Sequence, residues 1–371
     1  MSRLRVCLVA SHFAEYGFAL GAALQPHAEV LLVACRENTT AELGEHFVAG
    51  SSDGFRIHFF RKSRNPLRTV AEAAGIVRAV RAFQPDVLHV QEDSKDALAL
   101  ALPWLGRVPV LLTVHDPKPH SGDDTRVRRR TRHGLYIAQL RRRADALLVH
   151  GERLVADARE VAGGRPRPVH VLPHGPLGER CMAHSQTAQE PGRCLFFGRI
   201  EAYKGLRHFI AVIKNLNTQG LSVRGVVAGR GSDLEPHRAT LVADPAFELI
   251  EKFLSPQEVA TQFLRADVVV MPYENATQSG VAALALGAGR PVLAFDVGAL
   301  AEMVLDGHTG LLVAPGDLGA LTTALAGLVT DRGLNKRLGT GARHRATKEF
   351  SWSHIAAGSL HIYTSLVHGH R

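Results

Sequence analysis

Two stretches set cations and hydroxyls where the chain changes direction. In "LFFGRIEAYKGLRHFI" an apolar run ends at Gly198, then come Arg199 and, five residues on, Lys204, with Gly205 starting a helical pattern. Two cations on one strand-to-helix loop suit a diphosphate, each charge-assisted hydrogen bond contributing about 1.5 to 3 kcal/mol, while this loop alone reads equally as surface charges on an exposed loop. In "MPYENATQSGVAALALGAGRPVLAFD" a buried strand stops at Pro272 and a helix opens near Ser279. Its first-turn N–H groups lack intrahelical partners and carry roughly half a positive charge. Thr277, Gln278 and Ser279 add side-chain donors and Gly280 lets a ligand approach the backbone, the build of an anion cradle. The same Thr and Ser also serve simply as helix caps, so this segment alone leaves both readings open.

A third loop, "TVHDPKPH", puts His115, Asp116 and His120 after another apolar run. Two histidines can hold a metal, but no third ligand lies nearby in sequence, and a histidine lining a cleft is the simpler reading. "VVAGRGSDLEP" offers G-x-G after a strand, yet Leu234 replaces the third glycine of the dinucleotide fingerprint. No G-x-x-x-x-G-K-[ST] occurs, which argues against a P-loop ATPase.

Parallel sheets can position such loops. Near-continuous apolar runs at 4–10, 29–34, 56–60, 86–90, 108–114, 145–150 and 168–173 alternate with helical periods, and the pattern resumes at 194–198, 222–229, 246–250, 267–272 and 291–295. Strands of this kind are covered on both faces. The intervening 174–193 is rich in Gly, Pro, Gln and Ser and reads as a linker. The expected organisation is therefore an α/β chain of two doubly wound domains, 1–180 and 181–350, facing a cleft where C-terminal strand ends meet a ligand. "RADALLVH" from Arg143 and "RADVVVMP" from Arg265 echo one another across the halves.

Composition bounds the rest. With 371 residues, 46% hydrophobic and 21% charged, the chain can bury two cores. No apolar run reaches the roughly 18 residues that cross a bilayer, and the N-terminus reads as a first strand, not a secretory leader. Cys7, Cys35, Cys181 and Cys194 lie far apart, which suggests reduced thiols and a cytoplasmic protein. The formal charge of +9 is concentrated at Arg126 to Arg143, most simply a solvated helix face. An anionic membrane surface is its candidate partner, with peripheral association at the inner face, and nucleic acid is not expected because Tyr136 is its only aromatic residue.

Taken together, these residues resemble the retaining GT-B glycosyltransferases of family 4, glycosyl transferases group 1, in the branch that reads A-T-Q-S-G-V. "FGRIEAYKG" resembles the donor-diphosphate loop, the segment Pro272 to Asp317 the nucleotide-sugar segment, and "TVHDPKPH" the first-domain His-Asp loop. "FSWSHIAAGSLHIYTSL" resembles the closing helix, so 351–371 is expected to cross back to the N-terminal domain. The resemblance implies two Rossmann-like domains, a nucleotide-diphosphate sugar held mainly by the second and an acceptor entering from the first. It implies Arg199 and Lys204 on the diphosphate, His115 on the transferred sugar, and Asp116, Gly198, Glu274, Asn275, Thr277, Gln278, Ser279, Gly280 and Val281 as binding residues. It implies retaining hexosyl transfer to a lipid-linked or polysaccharide precursor, with no metal. The family's E-x7-E is not reproduced: Glu274 and Asn275 stand near its first position, and the second is apolar around Ala282 to Leu284. The competing readings are another GT-B enzyme, such as a nucleotide-sugar epimerase or phosphorylase, and a non-catalytic basic binding protein.

Overall fold

A computed structural model describes residues 3–45, 54–92, 96–118, 132–162, 166–183, 185–277 and 279–370. Gln278, His120 and Arg126 to Thr131 lie outside the described residues. The chain divides into two compact units, one running to Pro173 and taking back Trp352 onwards, the other spanning His174–Ser351.

The first unit is built on β1 (Leu4–Ala10), β2 (Ala28–Cys35), β3 (Arg56–Phe60), β4 (Val87–Gln91), β5 (Val110–Thr113), β6 (Ala146–Val149) and β7 (Val169–Val171). They form one sheet in the order β3-β2-β1-β4-β5-β6-β7, and each pairing is parallel. Val6 faces Val30 on one side and Val87 on the other, so the middle strands are buried on both faces and read as unbroken apolar runs. Helix Trp352–His370 belongs to this unit and buries Ile355, Ala356, Ile362 and Tyr363 in the core that holds Val6 and Leu8.

The second unit comprises β8 (Arg193–Phe197), β9 (Arg224–Ala228), β10 (Phe247–Ile250), β11 (Val268–Met271), β12 (Val292–Phe295) and β13 (Gly310–Val313), ordered β10-β9-β8-β11-β12-β13. The period-two alternation of a strand sorts its two cores: Val226, Ala228, Val269 and Met271 face one, Val227, Val268 and Val270 the other. Strand β13 was not expected from the sequence. Its four residues, "GLLV", are too few to show a period, and it exists because Leu311 and Val313 pair beside Leu293 and Phe295. The expected linker also holds a short helix, Glu179–Ala183, whose Met182 is buried in the second unit's core.

Both sheets reverse direction at their first strand, so the carboxyl ends of β1 and β4, and of β8 and β11, are topological switch points where open α/β sheets bind ligands. At the opposite edge the echoed Arg-Ala-Asp repeats do the same job twice. Asp145 accepts from the Val110 backbone N–H at 2.9 Å, and Asp267 from that of Gly192 at 2.7 Å, each tying the start of a strand to its neighbour.

Candidate active site

At the carboxyl end of β8 the backbone turns at Gly198, whose φ of 105° is the left-handed range that favours glycine. Lys204 folds back over this turn, with Nζ 2.9 Å from where a Gly198 Cβ would sit and Val281 Cγ2 3.6 Å from the same point. Any side chain at residue 198 would displace the ammonium. Lys204 is only 7% exposed, and its Nζ lies 5.2 Å from the centroid of the Tyr273 ring, within cation–π range. Burial, then the charge of Arg199, pull its pKa down to about 8, while Glu201 opposes them. The loop thus holds a desolvated cation beside a second cation, an arrangement that a bound anion would relieve.

Neighbouring loops fix this turn rigidly. Gly198 N–H donates to Ala228 at 3.0 Å and Ile200 N–H to Arg230 at 2.9 Å. Cβ atoms at Gly229 and Gly231 would fall 1.9 Å from the Gly198 and Ile200 carbonyl oxygens, so the G-x-G after β9 is there for close loop packing. Beside it opens a cavity of about 590 Å³ lined by Phe197, Arg230, Phe253, Leu254 and Val259.

After β11 the chain enters the polar cluster. Ser279 is the N-cap of helix Gly280–Ala288, its Oγ accepting from Ala282 N–H at 3.4 Å, so the capping role is realised. Thr277 and Ser279 are buried, and the Thr277 carbonyl accepts from Ala299 N–H at 3.1 Å. Gly298, at φ 51°, abuts Ala276 so closely that a Cβ would lie 1.5 Å from its oxygen. The loop is thereby clamped by the next one. Glu274 is held by partners of its own: His208 Nε2 at 2.9 Å and Arg207 at 2.5 Å, while Asn275 is exposed.

In the first unit His115 follows β5 and is 2% exposed, with Asp116 half-buried beside it. The Phe13 ring stacks on His115 at 3.8 Å and 19°, with Tyr16 edge-on at 5.8 Å and His150 at 4.9 Å. Phe13 takes a left-handed φ of 60° at the turn leaving β1, a costly conformation for a non-glycine residue that places its ring here.

Behind His115 runs a buried chain of hydrogen bonds. His115 Nε2 is 2.9 Å from Gln91 Oε1, Gln91 Nε2 is 3.4 Å from His89 Nε2, Thr113 Oγ1 is 2.7 Å from that same nitrogen, and His89 Nδ1 is 2.6 Å from the Tyr363 hydroxyl. An amide oxygen only accepts, so His115 carries its proton on Nε2. The amide nitrogen donates to His89 Nε2, which leaves His89 Nδ1–H to donate to Tyr363. Burial drives the His89 pKa down to about 3, keeping it neutral.

Of the residues singled out in the sequence, the second unit gathers Gly198, Arg199 and Lys204 on one turn, brings Val281 of helix Gly280–Ala288 against it, and sets Thr277 and Ser279 on the clamped loop that leads into Gly280. Glu274 is directed at Arg207 and His208. The end of the basic run is engaged inside its unit: Arg141 forks onto Glu92 at 2.6 and 2.8 Å, and Arg143 bonds Asp145 at 3.2 Å. Sequence reasoning missed Phe13, His89, Gln91 and Tyr363. A histidine and a glutamine inside the apolar strand "VLHVQ" were the available signal, since polar side chains there need buried partners.

A family model described as Glycosyltransferase Family 4 matches residues 15–175, and one described as Glycosyl transferases group 1 matches residues 191–331. Glycogen synthase of Mycobacterium tuberculosis is 26% identical over 301 residues, 78% of this chain and 71% of that protein. A D-inositol 3-phosphate glycosyltransferase of Streptomyces bingchenggensis is 32% identical over 247 residues, 59% of this chain and 54% of that protein. Among solved structures, sucrose-phosphate synthase of Thermosynechococcus elongatus superposes with a TM-score of 0.67 at 19% identity, over 99% of this chain and 100% of that one. HepE of Anabaena, in complex with UDP-glucose, gives 0.66 at 16%, over 97% and 100%. Both share the fold.

Proposed function

The chain belongs to the group 1, family 4 glycosyltransferases and has the GT-B fold, and from that premise we propose that it moves a hexosyl group from a nucleotide-diphosphate sugar to a hydroxyl acceptor with retention of anomeric configuration. The acceptor class is a lipid-linked or polysaccharide precursor. The observation that carries the donor assignment is Lys204, an ammonium sunk against Gly198 beside Arg199 at the end of the sheet's first strand.

In this reading the diphosphate lies on Arg199, Lys204 and the first-turn amides of helix Gly280–Ala288, and the nucleoside base enters the cavity beside Phe253. His115 and Asp116 serve the transferred sugar. As the bond from C1 to the phosphate oxygen breaks, negative charge grows on the leaving diphosphate where those preorganised groups stabilise it. The acceptor oxygen bonds to C1 on the same face, and its proton passes to a leaving phosphate oxygen. Cations and amides carry the charge, so turnover is expected to survive a chelator.

A thermal-shift panel of UDP, GDP and ADP sugars tests the donor. A ligand at a hundredfold excess over its Kd stabilises the folded state by about 2.7 kcal/mol. One nucleotide class is expected to stand out, with UDP the first choice because HepE was solved with UDP-glucose. A flat response to all three overturns the donor reading, and an inverted anomeric coupling in the first-formed product overturns retention.

A further inference from the structure

Helix Pro66–Phe83 has two apolar stripes where one would suffice. Thr69, Ala73, Ile76, Val80 and Phe83 form its buried face. Leu67, Val70, Ala74 and Val77 form a second stripe at helical spacing, and Leu67 is 80% and Val70 58% exposed. Across the seam stand Leu100, 43% exposed, and Trp104, 64% exposed, and with Val70, Ala74 and Val77 they line an apolar groove of about 920 Å³, Leu67 standing exposed one turn before it. Single exposed apolar residues are ordinary; a contiguous set around one groove marks an interaction surface.

At the N-terminal end of the same seam, between Thr69 and Asp96, a second cavity of about 430 Å³ is lined by Arg61, Lys62, Ser63 and Arg64. Lys62 is tied through its ammonium to Asn38, and Arg61 and Arg64 are exposed. Residues 61–83 carry six Lys and Arg against one acid, Glu72, and Arg78 and Arg81 flank the apolar groove. A second copy would bring two such cationic faces together and repel; a layer with anionic headgroups above hydrocarbon matches both parts of the seam.

We propose that this face docks the protein on an anionic phospholipid bilayer, with headgroup phosphates in the basic mouth and Leu67, Val70, Leu100 and Trp104 entering the acyl boundary. Arginine stems along the helix lie on hydrocarbon while their heads stay among the phosphates. The contact is interfacial, for no described helix is long and apolar enough to cross a membrane. It is independent of the transfer reading, since it is measured without nucleotide or acceptor.

The test is co-sedimentation of the full chain with vesicles of phosphatidylglycerol and phosphatidylcholine, against phosphatidylcholine alone. Binding is expected only to the anionic vesicles, fading as salt screens it, with a blue shift of tryptophan emission that Trp104→Phe, leaving only Trp352, removes. The combined variant Arg61→Gln, Lys62→Gln, Arg64→Gln is expected to bind at least about tenfold more weakly. The variant Leu67→Ser, Val70→Ser, Trp104→Ser is expected to lose binding while keeping its nucleotide-induced thermal shift. Should the latter not fold, the charge variant and the emission shift, compared between the native chain and Trp104→Phe, decide. No binding to anionic vesicles, unchanged binding by the charge variant, or a dimer that the apolar variant dissociates overturns the proposal.

Discussion

The two sheets are wound alike and finished differently. At their amino edges Asp145 and Asp267 repeat one structural device, an aspartate receiving the N–H that begins a neighbouring strand. At their carboxyl edges the chemistry diverges. The second unit presents charge, with Lys204 and Arg199 on a glycine turn and a clamped helix terminus nearby. The first unit presents rings and neutral hydrogen bonds, with Phe13 stacked on His115 and His89 held uncharged beneath it. The shared part builds a fold, and the divergent part is where the proposed reading puts the difference in ligand: an anion on the second unit, an uncharged polyhydroxy group on the first.

The sharpest way to break this contrast is Lys204→Ala. Loss of a buried, preorganised cation at the leaving group is expected to lower kcat/KM by well over tenfold, since about 1.4 kcal/mol of transition-state stabilisation is a decade in rate. Steady-state kinetics on the folded variant read it, and an unchanged kcat/KM removes Lys204 from the site. Next comes Gln91→Leu, which cuts the chain that fixes the His115 proton on Nε2. It is expected to lower kcat about tenfold while leaving the donor KM in place, because the change lies wholly in the first unit. A rise in donor KM instead would show that the two edges do not divide the labour.

A smaller effect follows from pH. On the proposed reading Lys204 would bind the diphosphate as the charged form, and burial lowers its pKa to about 8. Donor KM in the wild type is therefore expected to rise as pH climbs through about 8, and the rise should vanish in Lys204→Ala. Retention of the same pH dependence in that variant assigns it to another group. Smallest is Ser279→Ala: removing the N-cap should cost about 1 kcal/mol of stability by denaturant unfolding. If the donor thermal shift survives as well, Ser279 is a cap and not a ligand.

Much of the architecture was legible because parallel strands buried on both faces leave long apolar runs, and their edges in the sequence fall close to β1 through β12. Strand β13 was too short to announce itself. The cationic turn was legible because Arg199, Lys204 and two glycines lie within eight residues of one another. His115 could be named but its setting could not. Phe13, the pair His89 and Gln91, and Tyr363 come from three distant elements, and it takes parallel pairing of β1, β4 and β5 and the packing of helix Trp352–His370 on that sheet to bring them near His115. Glu274 shows the opposite limit: its place in the motif was plain, but its direction depends on Arg207 and His208 one helix turn away from Lys204.

The bond between His89 and Tyr363 joins positions 274 residues apart. During synthesis the first sheet emerges complete long before the helix that supplies the tyrosine. A nascent or C-terminally clipped chain would therefore carry every strand of its first unit and yet lack the final fastening of the wire to His115. A helix made well after that sheet acts as the latch on the first-made half.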